Sequence, residues 1–182
     1  MTDDWRLMRL QLLARFRVAL GWVFGPLVLL LAEPTVVSLA VGFAIAAVGE
    51  LMRFWAAGHL NKSREVTSSG PYRYFSHPLY VGSSIMGLGC GIASHSVIAL
   101  GIIALYLAMT ITAAIRSEEA HLRRLFGEYY DRFKRGELRR DAESHRRFSF
   151  AQALANHEPR AVAGLLVAWL LLFLKATYNG MF

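Results

Sequence analysis

Two clusters in the chain carry residue types that could do chemistry. The first is Thr67-Ser68-Ser69-Gly70-Pro71-Tyr72-Arg73-Tyr74-Phe75-Ser76-His77-Pro78-Leu79-Tyr80, which crowds three Tyr, a Phe, a His and an Arg into one short stretch. The second is Glu118-Glu119, followed closely by Phe126-Gly127-Glu128-Tyr129-Tyr130. Carboxylates pair with cations and accept hydrogen bonds, and tyrosine faces can sit beside a positive charge. Motifs of other chemistries are missing. There is no P-loop, no HExxH and no GxSxG, and Cys90 is the only cysteine, so the chain has no CxxC pair, internal disulfide or cysteine zinc site. His59 and His121 have no spacing that makes a metal site, and His95 reads as a solvated turn residue, so no metal is expected.

The elements that must position these clusters are apolar. Of the 182 residues 55% are hydrophobic and only 18% charged, which excludes a disordered chain and suits one domain over residues 1–182. Leu79 to Ile115 contains no Asp, Glu, Lys or Arg over 37 residues, too long for one bilayer span of roughly 20 residues and right for two. Ala93-Ser94-His95-Ser96 is its polar interruption and the natural hairpin. Phe16–Ala32, Thr35–Ala57 and Ala161–Tyr178 are three further spans, with Glu33-Pro34 separating the first two. The expected fold is therefore an all-α integral membrane protein of about five transmembrane helices. A soluble all-α bundle would need polar helix faces that these segments lack. No small-residue cleavage site follows Arg6, Arg9, Arg15 and Arg17, so the N-terminal segment reads as a span rather than a signal peptide.

Charge orients the spans. The net charge is +7. Four Arg lie in the N-terminal arm, Lys62, Arg64 and Arg73 in the Gly58–Ser76 linker, and eleven Lys or Arg in Arg116–Arg160. The connections at Glu33 and at Ser94-His95 carry none. With five spans every basic segment falls on one side, so the positive-inside rule places the N-terminus and both clusters in the cytoplasm. The basic excess is then explained by topology and anionic headgroups, and no nucleic-acid partner is expected.

Local patterns refine the cytoplasmic parts. Leu122, Leu125, Phe126, Tyr129 and Phe133 recur at three and four, which predicts an amphipathic helix from Glu118 to Arg135. Ser149-x-x-Gln152 predicts a capping box, and Pro159 the start of the last helix. Ser83, Gly87 and Gly91 put small residues on one helix face, as close helix packing requires. Lys175 is expected to snorkel to the outer headgroups. Glu50 and Arg53, three apart within a span, either pair with each other or serve function. If Leu79–Ile115 folds as an antiparallel hairpin, the aromatic-histidine stretch and Glu118-Glu119 meet at the membrane surface. That meeting makes either a binding site or an aromatic belt beside a Glu-rich helix end.

The order GPYRYFSHPLY, an uncharged hairpin, then EEAHLRRLFGEYYDRF resembles the isoprenylcysteine carboxyl methyltransferase group and the related phospholipid N-methyltransferases. The resemblance covers about Arg53 to Phe133. It implies S-adenosylmethionine as cofactor, bound through a core at residues 58–135. His77, Pro78, Leu79 and Tyr80 match that group's HPxY core, Tyr72 the tyrosine of the preceding SGxY segment, Glu118 and Glu119 the acidic pair, and Glu65 and Val66 a further stretch lining the cofactor. Two positions depart from the pattern. Ser76 stands where an Arg usually precedes HP, and the position near Ala114, where the prenylcysteine enzymes hold their substrate with an Arg, has none; the nearest, Arg116, lies only two residues before Glu118 and should point to a different face. Arg53 and Arg116 are the remaining cations that could meet an acceptor's polar head. The implied activity is methyl transfer to a small amphiphilic, lipid-like acceptor drawn from the bilayer. An NADPH-dependent membrane reductase resembling sterol reductases and a non-enzymatic scaffold of the same fold are the rival readings.

Overall fold

The computed structural model describes residues 20–62, 64–137 and 147–180, which are all-helical with no strand among them. In chain order they form α1 (Leu20–Leu31), α2 (Val36–His59), a 3-10 turn (Gly70–Arg73), α3 (Pro78–Ala93), α4 (Val97–Phe126), α5 (Glu128–Lys134), α6 (Phe150–Ala155) and α7 (Glu158–Tyr178). Helices α2, α4 and α7 are long and apolar enough to cross a membrane, and α1 and α3 are shorter apolar helices. The chain is an integral membrane protein. Each of the five expected spans is helical, although the arginine arm and the start of the first span lie outside the described residues. With 16 residues, α3 is about 24 Å long, short of the roughly 30 Å hydrocarbon core.

The helix ends are set by local chemistry. At the start of α2, Thr35 and Ser38 form a reciprocal box: Ser38 N–H donates to Thr35 Oγ1 at 3.1 Å, and Thr35 N–H to Ser38 Oγ at 2.9 Å. Glu33 N–H donates to Ser94 C=O at 2.8 Å, tying the two connections without Lys or Arg together at one end of the bundle. Pro159 sits in the first turn of α7 as expected, but Ser149 makes only half of the expected box at α6: its side chain accepts from Gln152 N–H, while its own N–H donates to Gly58 C=O at 3.1 Å. Lys175 does more than snorkel: its Nζ donates to Leu30 C=O at 2.9 Å, near the end of α1, where the last carbonyls lack helical partners. At the other end, Asn156 Nδ2 donates to Ala57 C=O at 2.8 Å and Leu60 C=O at 2.9 Å, closing the end of α2.

Helices α2 and α3 make the closest contact in the bundle. A Cβ on Gly49 would stand 2.6 Å from Gly82 C=O and from Met86 N, and one on Gly89 would stand 2.6 Å from Ala46 N and Gly42 C=O. Backbone meets backbone, because little apolar driving force separates lipid-facing from protein-facing side chains in a bilayer and contact distance becomes decisive. The small face read at Ser83, Gly87 and Gly91 divides in two. Gly87 and Gly91 receive Leu107 and Leu100 of α4, while Ser83 binds Arg53. The α2 contact belongs to Gly82 and Gly89.

The amphipathic helix expected over Glu118–Arg135 is two pieces. Helix α4 runs on to Phe126, Gly127 turns the chain at φ 52°, and α5 begins at Glu128. The break resets the helical phase. Tyr130, not Tyr129, is buried, with Phe133 and Val66, while Leu122 and Phe126 pack against them; Leu125 and Tyr129 are exposed. Helix α5 thereby folds back onto the linker before α3.

The glycine contact generates a test. Gly49→Ala adds one methyl against backbone and should cost about 1–3 kcal/mol, the range for overpacking. Gly101→Ala, whose Cβ would meet nothing within 4 Å, should leave stability unchanged or slightly raised. Thermal unfolding in detergent should show a clear drop for the first variant and none for the second.

Candidate functional site

Proline at residue 78 opens α3, which makes His77 its N-cap residue, at φ −137° and ψ 64°. The His77 ring thus sits at the mouth of the hairpin. Its Nε2 lies 3.3 Å from Glu119 Oε1 near the end of α4, and Glu119 Oε2 accepts from Lys134 Nζ of α5 at 2.7 Å. Three elements are joined through one carboxylate. The two clusters therefore meet, as the hairpin reading requires.

Beside this junction is a cleft lined by Glu65, Val66, Tyr72, Ser76, His77, Glu118, His121, Tyr130 and Phe133, with Leu60, Lys62, Thr67 and Leu122 completing its walls. Tyr72 reaches it from the 3-10 turn. That turn is possible because Gly70 takes φ 57° against the His59 ring, 2.7 Å from where a Cβ would stand. Tyr130 is 1% exposed, and its hydroxyl has no hydrogen-bond partner within the protein. An unpartnered buried hydroxyl beside a carboxylate-lined cleft is a donor without an acceptor, and a polar ligand could supply one. Burial pushes the phenols of Tyr72 and Tyr130 well above their ordinary value of 10.0; Glu118 adds to the shift for Tyr72, and Glu119 and Glu118 add to it for Tyr130. Both are neutral donors at any physiological pH.

Of the cofactor residues expected from sequence, Glu65, Val66, Tyr72, His77 and Glu118 line the cleft. The other four stand behind it. Pro78 is fully buried at the start of α3, Leu79 C=O accepts from Ser83, Tyr80 packs its ring 6.0 Å from that of His77, and Glu119 holds His77 and Lys134. The lining residues missed by the motif reading include Thr67, Ser76, His121, Tyr130 and Phe133. Tyr130 and Phe133 had a signal in the helical periodicity, shifted by the break at Gly127.

The two expected substrate arginines differ. Arg116 is exposed on α4 and lies outside the cleft. Arg53 is drawn inward: Nε lies 2.8 Å from Glu158 of α7 and 3.6 Å from Glu50, and Nη1 donates to Ser83 Oγ. A second cavity, of about 320 Å³, opens between α3 and α4. Its walls are Gly87, Leu88, Leu100, Ile103, Ala104, Leu107, Ala108 and Ile111, with Ser84 and Thr112 toward the His77 end.

Residues 23–129, more than half of the chain, match the family described as phospholipid methyltransferase. The chain belongs to that family. The matched stretch contains the first cluster, Glu118-Glu119 and the apolar groove, and stops at the exposed Tyr129, one residue short of the buried Tyr130. Among similar proteins, the nickel-cobalt-cadmium resistance protein NccN of Alcaligenes xylosoxydans xylosoxydans is 37% identical over 97 residues, covering 52% of this chain and 44% of NccN. The cobalt-zinc-cadmium resistance protein CzcN of Cupriavidus metallidurans is 33% identical over the same length, covering 52% and 44% of the two chains. The protein-S-isoprenylcysteine O-methyltransferase of Schizosaccharomyces pombe is 28% identical over 92 residues, covering 50% of this chain and 39% of that enzyme. The chain thus spans less than half the length of the curated relatives it matches. No solved structure matches.

The buried phenols of this family member set an alkaline limit. A group whose folded pKa is raised costs nothing below its unfolded value, and the folded state loses stability as pH climbs from there toward the folded value. Stability should therefore fall as pH rises above about 10, the ordinary phenol value. Tyr130→Phe removes an unpartnered hydroxyl. It should leave stability at pH 7 unchanged or raised, and lessen the alkaline loss, as read by thermal unfolding at pH 7 and pH 11.

Proposed function

We propose that the chain transfers a methyl group from S-adenosylmethionine to a lipid-like acceptor at the cytoplasmic membrane surface. The observation that carries this is the stacking of two cavities along one helical hairpin. The polar cleft with Glu118, His77, Tyr72 and Tyr130 sits at its end, and the apolar groove runs between the same two helices below it. Thr112 lies six residues before Glu118 and Ser84 seven after His77, so the groove begins about 9–10 Å along the helices from the cleft. Membership of a methyltransferase family supports the same reading.

The residues fit the cofactor by type. Glu118 would accept from its ammonium, and Tyr130 and Tyr72 would donate as neutral phenols. When bound, S-adenosylmethionine supplies an electrophilic methyl on a sulfonium. Glu119 positions His77 and, through Lys134, holds α5 over the cleft. Val66, Leu122 and Phe133 keep water out, which favours a step in which charge is dispersed. The enclosed cleft is about 60 Å³, below the roughly 300 Å³ and more of most ligand sites. Binding therefore requires α5 and the linker to draw apart or the ligand to lie across the mouth. Pro78, Leu79 and Tyr80 hold the start of α3 behind His77. The acceptor's chain would occupy the groove, and its reactive group the cleft. Arg116 is exposed and free to meet headgroups at the surface.

His77→Ala and Glu118→Gln should each weaken S-adenosylmethionine binding at least about fivefold, about 1 kcal/mol, by calorimetry on the purified protein. NADPH should give no heat; NADPH binding with no S-adenosylmethionine binding would favour the reductase reading instead. In native-lipid vesicles with methyl-labelled S-adenosylmethionine, label should enter the organic phase and be lost in Glu118→Gln. Label confined to water-soluble products would refute a lipid-like acceptor.

Orientation has its own test. In a background lacking Cys90, His95→Cys and Tyr129→Cys, both at exposed positions, should label from opposite sides of the membrane, with Tyr129 cytoplasmic. Labelling of both from one side would overturn the arrangement.

A further inference from the structure

The groove between α3 and α4 has a floor and a measurable depth. Only Ser94, His95 and Ser96 separate the two helices, so their ends are held together at the hairpin. In the first turn of α4, Leu100 seats on Gly91 of α3 and closes the gap. Beyond that contact the helices leave room. From Leu100 to Thr112 the α4 positions that line it recur at three and four, one unbroken stripe. No ionisable side chain lines the groove. Its two hydroxyls, Ser84 and Thr112, lie toward the cofactor cleft, and Ser84 donates to Tyr80 C=O of its own helix at 3.0 Å. Ala104 and Ala108 are exposed, so one side is open to the bilayer.

A polar occupant would find no partner along such walls, whereas a hydrocarbon leaves one apolar medium for another and gains close contacts. Depth decides which hydrocarbon. Eighteen residues of α4 separate Leu100 from Glu118, about 27 Å along the helix. That is nearly the whole hydrocarbon core of roughly 30 Å. The groove therefore passes the bilayer midplane, about 15 Å from the cleft, and more than half of its length lies in the far leaflet. A lipid tail rooted at the cytoplasmic surface and confined to its own leaflet would fill only about the first third. An extended chain advances about 1.2 Å per bond, so reaching Leu100 from the cleft takes about twenty-two bonds. Spread over its length, the volume of about 320 Å³ has the width of one chain.

We infer that the acceptor is a single-chain amphiphile whose chain crosses the midplane, about twenty-two bonds long, and is stopped by Leu100 on Gly91. A linear chain of that length has the reach, and the paired tails of a lipid confined to one leaflet do not. This rests on the proposed function in rooting the head at the cleft, but chain binding itself does not need the methyl donor. Ala104 lies about 21 Å from Glu118 along α4, so a long chain passes it and a dodecyl chain, about 14 Å long, never reaches it.

The experiment compares dodecanol with docosanol, by calorimetry on the full chain in nanodiscs of dioleoyl phosphatidylcholine without cofactor. Each alcohol is counted as its mole fraction in the bilayer, so that partition cancels. Docosanol should bind at least tenfold more tightly than dodecanol to the unaltered protein. A104F, which fills the far part of the groove from an exposed position, should weaken docosanol at least tenfold and leave dodecanol within twofold; an unchanged thermal unfolding transition shows that the fold survives. L100A removes the floor, and should let hexacosanol bind as tightly as docosanol, where the unaltered protein binds it at least fivefold more weakly. Docosanol binding no tighter than dodecanol overturns the long-chain occupant. So does an A104F variant that weakens both alcohols alike or neither, and so does a length limit that L100A leaves in place. The two readings fail separately. Length-dependent binding with no label transferred to any product upholds the long-chain groove and sinks methyl transfer. Label transferred while docosanol binds no more tightly than dodecanol upholds methyl transfer and sinks the long-chain groove.

Discussion

The contact on which the rest depends is the meeting of two backbones, α2 and α3, at Gly42, Gly49, Gly82 and Gly89. In a bilayer the solvent is as apolar as a leucine side chain, so helices are not driven together by burial alone. They hold where they approach closely enough for dispersion and weak polar contacts to accumulate. A Cβ at Gly49 or Gly89 would fall 2.6 Å from backbone atoms of the facing helix. That approach fixes the height of α3 against α2. It sets Ser83 within reach of Arg53 and puts His77, at the head of α3, near the end of α2, where the Gly70 turn packs on His59.

Both polar clusters then gather at one end. The helix hairpin brings His77 to Glu119, Lys134 of α5 completes that contact, and Asn156 closes the end of α2 from the far side of the sequence. The opposite end is closed by two bonds to backbone carbonyls, from Glu33 N–H to Ser94 and from Lys175 Nζ to Leu30. A polar cleft therefore lies at one end of the hairpin and an apolar groove between the same helices. The groove's volume of about 320 Å³ sits at the low end of small-molecule sites, room for a single slender chain.

Helix α3 is short for a span, yet both of its faces carry contacts. Its 16 residues do not cover the bilayer core, and its two faces are given to backbone contact with α2 and to leucines of α4. Leu107 and Leu100 seat on Gly87 and Gly91, so the same small residues that admit α4 form part of the groove wall at Gly87. Site and packing are two uses of one helix surface.

The sequence by itself determined where the apolar segments lie, where prolines and polar turns end them, and which short stretches carry chemistry. Those are local properties: hydropathy over a span, proline at a helix start, a side chain capping its own helix. The hairpin by itself brings the aromatic-histidine stretch to Glu118-Glu119, whereas Glu65, Val66 and Tyr72, which line the same cleft, were named only through the family resemblance. Only the tertiary structure decided the rest. Gly127 reset the phase of the amphipathic stretch, so Tyr130 is buried rather than Tyr129; periodicity cannot show a break made by one positive φ. Gly82 and Gly89 took the α2 contact, because two helices choose a common face only when they meet. Glu158 found Arg53 across more than a hundred residues, and no spacing rule links charges on separate helices. Pairing between distant elements is set by packing, and packing is what a linear pattern leaves open.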